Sequence, residues 1–89
     1  MEFEWNPAKS AVTFHQRGFD FGYASRIFAG PCLRSEDTRT DYGEIRMKAI
    51  GRVETDILAV IYTMRGSALR IISARRANRK ERTEWQSRA

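Results

Sequence analysis

Two kinds of hydrophobic spacing divide this chain near Pro31. Before Pro31, apolar residues recur three and four positions apart, which places side chains on one face of a helix. After Pro31, apolar and polar residues alternate, as in a β-strand with one buried face. The N-terminal third therefore predicts helices, and the remainder predicts mainly strands.

The N-terminal part carries signals for helix starts and stops. Residues 3–5 predict a short strand, and Asn6-Pro7 then places a capping side chain directly before a proline suited to the first helical turn. This helix should end at Gly18. A second helix should begin after Asp20 as its cap and run to about Phe28. The apolar side of the first helix is expected to consist of Ala8, Ala11, Val12 and Phe14.

Three consecutive strands are predicted in the second half of the chain. Residues 44–53 alternate, residues 57–64 are apolar on both faces, and residues 68–75 follow across a turn at residues 65–67. Such short connections join strands into an antiparallel meander. Two segments precede the meander, a candidate strand at residues 32–36 and a turn or exposed loop at residues 37–43.

Strict alternation fixes where the cations of these strands point. Arg46 and Lys48 share a face, which we expect to be an exposed sheet surface. In the last strand, alternation puts Arg70 on the same side as Arg76 and opposite to Arg75. Arg75 and Arg76 therefore cannot both point into one cleft unless the strand ends between them.

The last predicted element is a helix over Arg79–Ser87. Asn78 and Glu81 have the spacing of a capping box, in which each side chain bonds the backbone N–H of the other residue. Trp85 is almost the only large apolar residue of this helix, so we expect it to gain little from packing on its own domain. It is therefore expected to be a regulated element that completes its burial against a partner.

These elements predict a single α+β domain over residues 1–89. The sheet is expected to be antiparallel with three or four strands, with the two N-terminal helices on one face and the terminal helix at the end of the sheet. With 42% hydrophobic residues, a chain of 89 residues can close one core without metals or disulfides.

Cysteine usage and hydropathy indicate the compartment. The lone Cys32 cannot form an internal disulfide, which is typical of a reducing environment. No apolar run approaches the roughly 18 residues of a membrane span, and the N-terminus lacks the pattern of a signal peptide. We therefore expect a cytoplasmic protein without membrane contact.

Positive charge is concentrated in the C-terminal part of the chain. The formal net charge is +5, which favours an acidic partner such as nucleic acid, an anionic membrane surface or an acidic protein. No basic amphipathic helix has the broad apolar face that membrane binding needs. Clustered arginines suit phosphate, so nucleic acid is the favoured partner. The cations of residues 65–89 are Arg65, Arg70, Arg75, Arg76, Arg79, Lys80, Arg82 and Arg88, against Glu81 and Glu84.

Five short motifs extend over nearly the whole chain. They are Trp5-Asn6-Pro7-x-Lys9, Gly18-Phe19-x-Phe21, Asp41-Tyr42-Gly43-Glu44-x-Arg46 with Gly51 five residues later, Tyr62-Thr63-x-Arg65, and Arg70-Ile71-Ile72-Ser73-Ala74-Arg75-Arg76-Ala77 followed by Glu81-Arg82. In their order and spacing they resemble the BrnT family of toxins, which are relatives of the RelE and ParE toxins. The chain departs from the family pattern before Gly18, where it carries Thr13, Gln16 and Arg17, so His15 does not occupy the family's histidine position.

The resemblance implies a RelE-like fold and a ribonuclease toxin of a type II toxin–antitoxin system, which inhibits translation by cleaving RNA. It also implies a cognate BrnA-like antitoxin in a toxin–antitoxin hetero-oligomer, with DNA bound only indirectly through the antitoxin. No cofactor is implied. The alternative is a non-catalytic nucleic-acid-binding or protein-interaction module, because no general base stands out in the sequence.

RNA cleavage without a metal needs a base, a cation at the phosphate and a proton donor. Arginine suits the phosphate because its fork stays charged and donates two parallel hydrogen bonds. Ser73 could hold the phosphate or merely bond a neighbouring strand, and Glu81 more often completes a cap than accepts a proton. The first arginine candidates are Arg65, Arg75 and Arg76, each of which could instead be a solvated cation or a partner of Glu44, Glu81 or Glu84.

Other residues are expected to contact RNA without reacting. Arg46 and Lys48 could bind the RNA backbone or form a solvated sheet edge. Tyr62 and Tyr42 could donate a proton or stack on a base, although a tyrosine in an apolar strand is more often a core residue. One His and one Cys cannot build a zinc site, so no metal is expected. The RNA-binding candidates are Arg46, Lys48, Tyr62, Arg70 and Arg79.

Overall fold

A five-stranded sheet with helices on both faces organises the molecule. The computed structural model describes residues 1–39, 41 and 43–88. No helix in these ranges is long and apolar enough to cross a membrane. In chain order the elements are β1 (Glu2–Trp5), α1 (Pro7–Arg17), α2 (Phe21–Ser25), a 3₁₀ turn (Arg26–Ala29), β2 (Leu33–Glu36), β3 (Met47–Val53), β4 (Asp56–Arg65), β5 (Ala68–Arg76) and α3 (Arg79–Ser87).

The sheet is mixed, with the strand order β1-β5-β4-β3-β2. Strands β3 to β5 form the predicted three-stranded antiparallel meander, and β2 pairs antiparallel with β3 at its other edge. The described sheet has five strands, so the expected count of three or four is wrong. The expectation of a wholly antiparallel sheet is wrong, because β1 pairs in parallel with β5. The four residues of β1 carry no signal for strand direction, and the parallel arrangement packs Phe3 and Trp5 against the core. The α+β class is confirmed.

Both predicted caps of α1 are confirmed. Asn6 Oδ1 accepts hydrogen bonds from the backbone N–H of Ala8 and Lys9 at 2.9 and 3.3 Å, and Gly18 ends the helix with φ at 84°. The predicted second helix is shorter than expected, because α2 changes into the 3₁₀ turn after Ser25.

The predicted apolar side of α1 is wrong. Ser10 and Thr13 are its buried residues, whereas Val12 and Phe14 are each 53% exposed. Ser10 can be buried because its hydroxyl accepts a hydrogen bond of 3.0 Å from the backbone N–H of Phe21, at the start of α2. A bonded hydroxyl therefore joins α1 to α2 where the sequence pattern suggested apolar packing.

The sheet separates two faces with different roles. The core face packs against α1, α2 and the 3₁₀ turn, and its buried residues include Leu58, Val60, Leu69 and Ile71. We call the other side the basic face and define it by the strand residues Lys48, Ile61, Ser73 and Arg75. Helix α3 lies on the basic face next to β3.

A β-bulge changes the alternation within β5. Pairing with β4 steps from Ile61 opposite Ser73 to Tyr62 opposite Ile71, which leaves Ile72 as an extra residue. Arg70 therefore lies on the basic face with Arg75, and Arg76 lies on the core face. The predicted placement of Arg70 with Arg76 is wrong, because strict alternation does not hold across a bulge.

Helix α3 packs against the sheet more closely than the sequence suggested. Its bounds and its capping box are confirmed, with Asn78 and Glu81 each bonding the backbone of the other. Glu81 is 2% exposed and Trp85 is 5% exposed. The expectation that little holds this helix to its own domain is therefore wrong.

Gly51→Ala is expected to destabilise the fold by about 1–3 kcal/mol, the usual effect of overpacking a core. A Cβ at Gly51 would lie 2.8 Å from Cβ of Ile27, where the 3₁₀ turn crosses β3. Denaturant unfolding measures the loss. Gly30→Ala is the control, because a Cβ there meets nothing within 4 Å; an equal loss in both variants would contradict the close approach.

Candidate active site

The basic face brings two predicted cations onto one buried carboxylate. Arg75 Nη1 and Nη2 donate to the two carboxylate oxygens of Glu81 at 2.6 and 2.9 Å. Lys48 Nζ donates to Glu81 Oε2 at 2.9 Å. Strand β3 supplies Lys48, β5 supplies Arg75, and the first turn of α3 supplies Glu81. Arg75 and Glu81 are six residues apart, and Lys48 joins them from 33 residues before Glu81.

Hydrogen bonds within the cluster stabilise the charged forms of Glu81 and Arg75, whose pKa values are both shifted. The hydrogen bonds from Arg75, together with the Asn78 backbone N–H and Lys48, lower the pKa of Glu81 to about 2, although burial opposes this. The hydrogen bond from Arg75 to Glu81 likewise raises the pKa of Arg75. Glu81 is therefore a carboxylate near neutral pH and a weak proton acceptor.

A cleft of about 180 Å³ opens beside this cluster. Arg39, Lys48 and Arg75 line it with positive charge, and Ser35 and Thr38 add hydroxyl groups. Two carboxylates, Glu36 and Asp37, also line it, and Asp37 binds Arg39 through two hydrogen bonds of 2.8 and 2.9 Å. Cations and hydroxyls around a small cleft are the donor set that a phosphate group needs.

Sequence reasoning missed Arg39, Ser35 and Thr38. They lie on β2 and in the loop after it, which the sequence predicts only as a strand and a polar loop. Antiparallel pairing of β2 with β3 places Ser35 directly opposite Lys48. Alternation within β2 or β3 does not show which residues of the two strands lie opposite each other. The sequence therefore does not place the loop after β2 beside the cleft. Charge offered no signal either, because residues 37–43 contain one arginine, Arg39, against Asp37 and Asp41.

Ser73 lies on the basic face close to Arg75. It pairs with Ile61, which in turn pairs with Lys48, so Ser73 and Lys48 flank one central residue across three strands. Ser73 is exposed, and it does not line the cleft. Ser73 therefore shares the face of the cation pair but lies outside the cleft.

Arg65 and Arg70 share the basic face but lie away from the cleft. Arg65 is six residues along β4 from Ala59, the partner of Arg75, which corresponds to about 20 Å at about 3.3 Å per residue. Arg70 pairs with Glu4 of β1 at 3.4 Å. Arg65 and Arg75 therefore cannot contact the same phosphate.

Arg76 is separated from Arg75 by the sheet. Its guanidinium lies 5.1 Å from the ring centre of Phe19 and donates a 2.8 Å hydrogen bond to the carbonyl oxygen of Arg17. Its Nε is 3.7 Å from a carboxylate oxygen of Asp56. These contacts tie the end of β5 to α1, so the structure does not place Arg76 with the other catalytic candidates.

Tyr62 is a core residue, and this position does not fit stacking on an RNA base. It is 3% exposed, and its ring meets Phe28 edge-on with ring centres 5.3 Å apart. Its hydroxyl accepts a 2.9 Å hydrogen bond from Arg34. The second tyrosine candidate, Tyr42, lies outside the described residues.

The remaining candidates have mixed surroundings. The sheet surface around Lys48 is not open, because Lys48 contacts α3 and its side chain is 29% exposed. Arg46 Nε is 3.6 Å from Glu44. Arg79 is exposed in the first turn of α3. Within the described ranges, no group of three or more His, Cys, Asp or Glu side chains could hold a metal ion.

A family model for the ribonuclease toxin BrnT of type II toxin–antitoxin systems matches residues 5–81 of the 89-residue chain. The chain belongs to the BrnT family. The resemblance seen in the motifs is confirmed, and BrnT membership makes the protein a ribonuclease toxin with an antitoxin as partner and RNA as target. No curated protein matches the chain.

The BrnT match covers the whole cation cluster. Lys48, Arg75 and the cleft residues lie inside the matched segment, which ends at Glu81. Trp85 and the rest of α3 lie beyond it. The matched part of the chain therefore ends at the carboxylate that binds both cations.

Proposed function

We propose that this toxin is an endoribonuclease that cleaves RNA at the cleft beside Arg75 and thereby inhibits translation. The observation that carries the proposal is the pair Arg75 and Lys48, held by Glu81 at the side of a cleft that also receives Arg39. The fold is RelE-like under this proposal, with the basic face as the RNA-binding side.

The chemistry requires positive charge at the phosphate. In this cleavage the 2′-oxygen loses its proton and bonds to the neighbouring phosphorus, while the bond to the 5′-oxygen breaks and that oxygen takes up a proton. The phosphate gains negative charge during the attack, and fixed cations stabilise that charge more than they stabilise the ground state. Arg75 and Lys48 supply two fixed cations, and Arg65 and Arg70 on the same face extend the positive surface for the RNA backbone. Because these side chains provide the charge, we propose cleavage without a metal ion.

Purified toxin, freed of antitoxin, is expected to cleave total RNA equally fast in EDTA and in Mg²⁺. The measurement is the appearance of new RNA ends over time at fixed ionic strength. Cleavage that stops in EDTA would contradict the metal-independent mechanism. Binding of RNA without any cleavage would favour the non-catalytic binding module, for which the cationic basic face also provides a surface.

We also propose that a BrnA-like antitoxin forms a hetero-oligomer with the toxin and covers the basic face. The exposed cations Arg79, Lys80 and Arg82 on α3 suit an acidic or amphipathic segment of that partner. Any DNA binding by the complex would then come from the antitoxin. The association rate constant should fall steeply as salt is raised, and a salt-independent rate would argue against this surface.

A further inference from the structure

The carboxylate of Glu81 performs two tasks at once. It accepts a 2.9 Å hydrogen bond from the backbone N–H of Asn78, which caps α3. The same side chain binds Arg75 and Lys48 and is only 3% exposed. A capping glutamate does not need two cations, and a buried ion cluster is unnecessary for a helix start. The second task therefore calls for an explanation outside helix capping.

The cations keep part of their donor capacity for another anion. A guanidinium has five N–H donors, of which Arg75 uses two on Glu81 and a third, at 3.4 Å, on the carbonyl oxygen of Arg76. Lys48 has three donors and uses one on Glu81. The side chains are still 35% and 29% exposed, and both line the cleft. Glu81 therefore holds these cations from one side and leaves their other side open.

We infer that Glu81 is a positioning residue, which fixes Arg75 and Lys48 beside the cleft and couples their placement to the docking of α3. This inference rests on the proposed cleavage of RNA at the cleft. Long cationic side chains sample many rotamers in water, and two charge-assisted hydrogen bonds to a buried carboxylate select one arrangement. Such preorganisation acts on the reaction rate, because fixed charges need no rearrangement in the transition state.

This role predicts opposite effects on cleavage and binding. Glu81→Gln removes a negative charge next to two cations but retains an amide oxygen for the Asn78 cap. The attraction to RNA phosphates should be retained or strengthened, whereas the two cations lose their fixed geometry. A residue that only stabilised the fold would change cleavage and binding together, in proportion to the folded fraction.

The test uses Glu81→Gln in the full chain with a single-stranded RNA oligonucleotide for cleavage and its 2′-O-methyl analogue for binding. The single-turnover rate constant is expected to fall at least about tenfold, while the Kd for the analogue does not rise. Asn78→Ala is the matched control. It weakens the same helix start but leaves the Glu81 carboxylate on both cations, so its rate constant should stay near wild type once the folded fraction is accounted for.

A folded Glu81→Gln variant that cleaves at the wild-type rate would overturn the inference. So would equal losses of cleavage and binding in Glu81→Gln and Asn78→Ala, because those would indicate a role in stability alone. Absence of cleavage by the wild type overturns the proposed function instead. The binding arm still tests the positioning role in that case, since a retained or lower Kd in Glu81→Gln agrees with it and a Kd that rises in Glu81→Gln but not in Asn78→Ala contradicts it.

Discussion

Arg75→Ala is expected to lower the rate constant of RNA cleavage by about 10²- to 10³-fold, the loss seen when one donor that stabilises developing charge is removed. Arg75 reaches the cleft from β5 with its guanidinium already fixed by Glu81. Its planar fork can present parallel donors to a phosphate, which Lys48, the other cation held by Glu81, cannot do. The single-turnover rate constant measures the effect.

Arg76→Ala is the matched control for Arg75→Ala. The two residues are neighbours on β5, and each substitution removes one positive charge. Arg76, however, lies on the core face against Phe19. Its removal should leave cleavage near wild type and cost about 0.5–1 kcal/mol of stability through the lost contact with the ring. Equal losses of cleavage in the two variants would show that net charge, rather than position in the cleft, determines the rate.

Arg75→Lys separates charge from geometry. Lysine retains the positive charge and one contact to Glu81 but cannot form two parallel hydrogen bonds. If the fork matters, this variant stays well below wild type, and denaturation curves identify any part of the loss that comes from unfolding. The loss is expected mainly in the rate constant and not in the affinity for RNA, because the wider basic face still attracts phosphates.

Local signals explain which parts of the fold the sequence could predict. The Asn6 cap, the Gly18 stop and the capping box of α3 depend on a few neighbouring residues, so their side-chain chemistry is sufficient. The meander follows from alternation and short turns in the same way. The direction of β1 depends instead on how the chain returns to β5 after three other strands and the two N-terminal helices have packed, and the four residues of β1 do not encode that.

The candidate site was predictable in part for the same reason. Arg75, Lys48 and Glu81 were recognisable as residue types, but their meeting depends on the registers of three elements. The bulge at Ile72 reversed the predicted partners of Arg70 and Arg76, and no residue type marks that bulge in the sequence. Residues around the cleft that lie on β2 and its loop were missed because a polar loop has no periodicity from which to place it.

The docking of α3 changes what the antitoxin can be expected to do. Trp85 is already buried on the basic face, with the Arg88 guanidinium 3.5 Å from its ring centre. An antitoxin segment therefore does not need to supply a burial site for Trp85. The exposed cations of α3, including Arg79, are the part of the helix available to a partner. The antitoxin contact with α3 stays a prediction, now without Trp85 at its centre.

Trp85→Ala is expected to destabilise the protein by about 3–5 kcal/mol, the usual range for removing a large buried aromatic side chain. Small domains have total stabilities of about 5–15 kcal/mol, so this one side chain accounts for a large share. The loss should also release α3, which carries Glu81, from the sheet. Denaturant unfolding measures the stability, and hydrogen exchange of residues 79–87 measures the release.

Gln86→Ala is the control for this prediction, because Gln86 is the exposed neighbour on the same helix. Its stability should stay within about 0.5 kcal/mol of wild type. Trp85→Phe retains an aromatic ring and should keep α3 protected, which guards against a Trp85→Ala variant that does not fold.

In the wild type without antitoxin, residues 79–87 should already exchange slowly, because Trp85 and Glu81 anchor both turns of the helix to the sheet. Fast exchange there, combined with a small effect of Trp85→Ala, would contradict the docked helix and would restore α3 as an element that folds only against its partner.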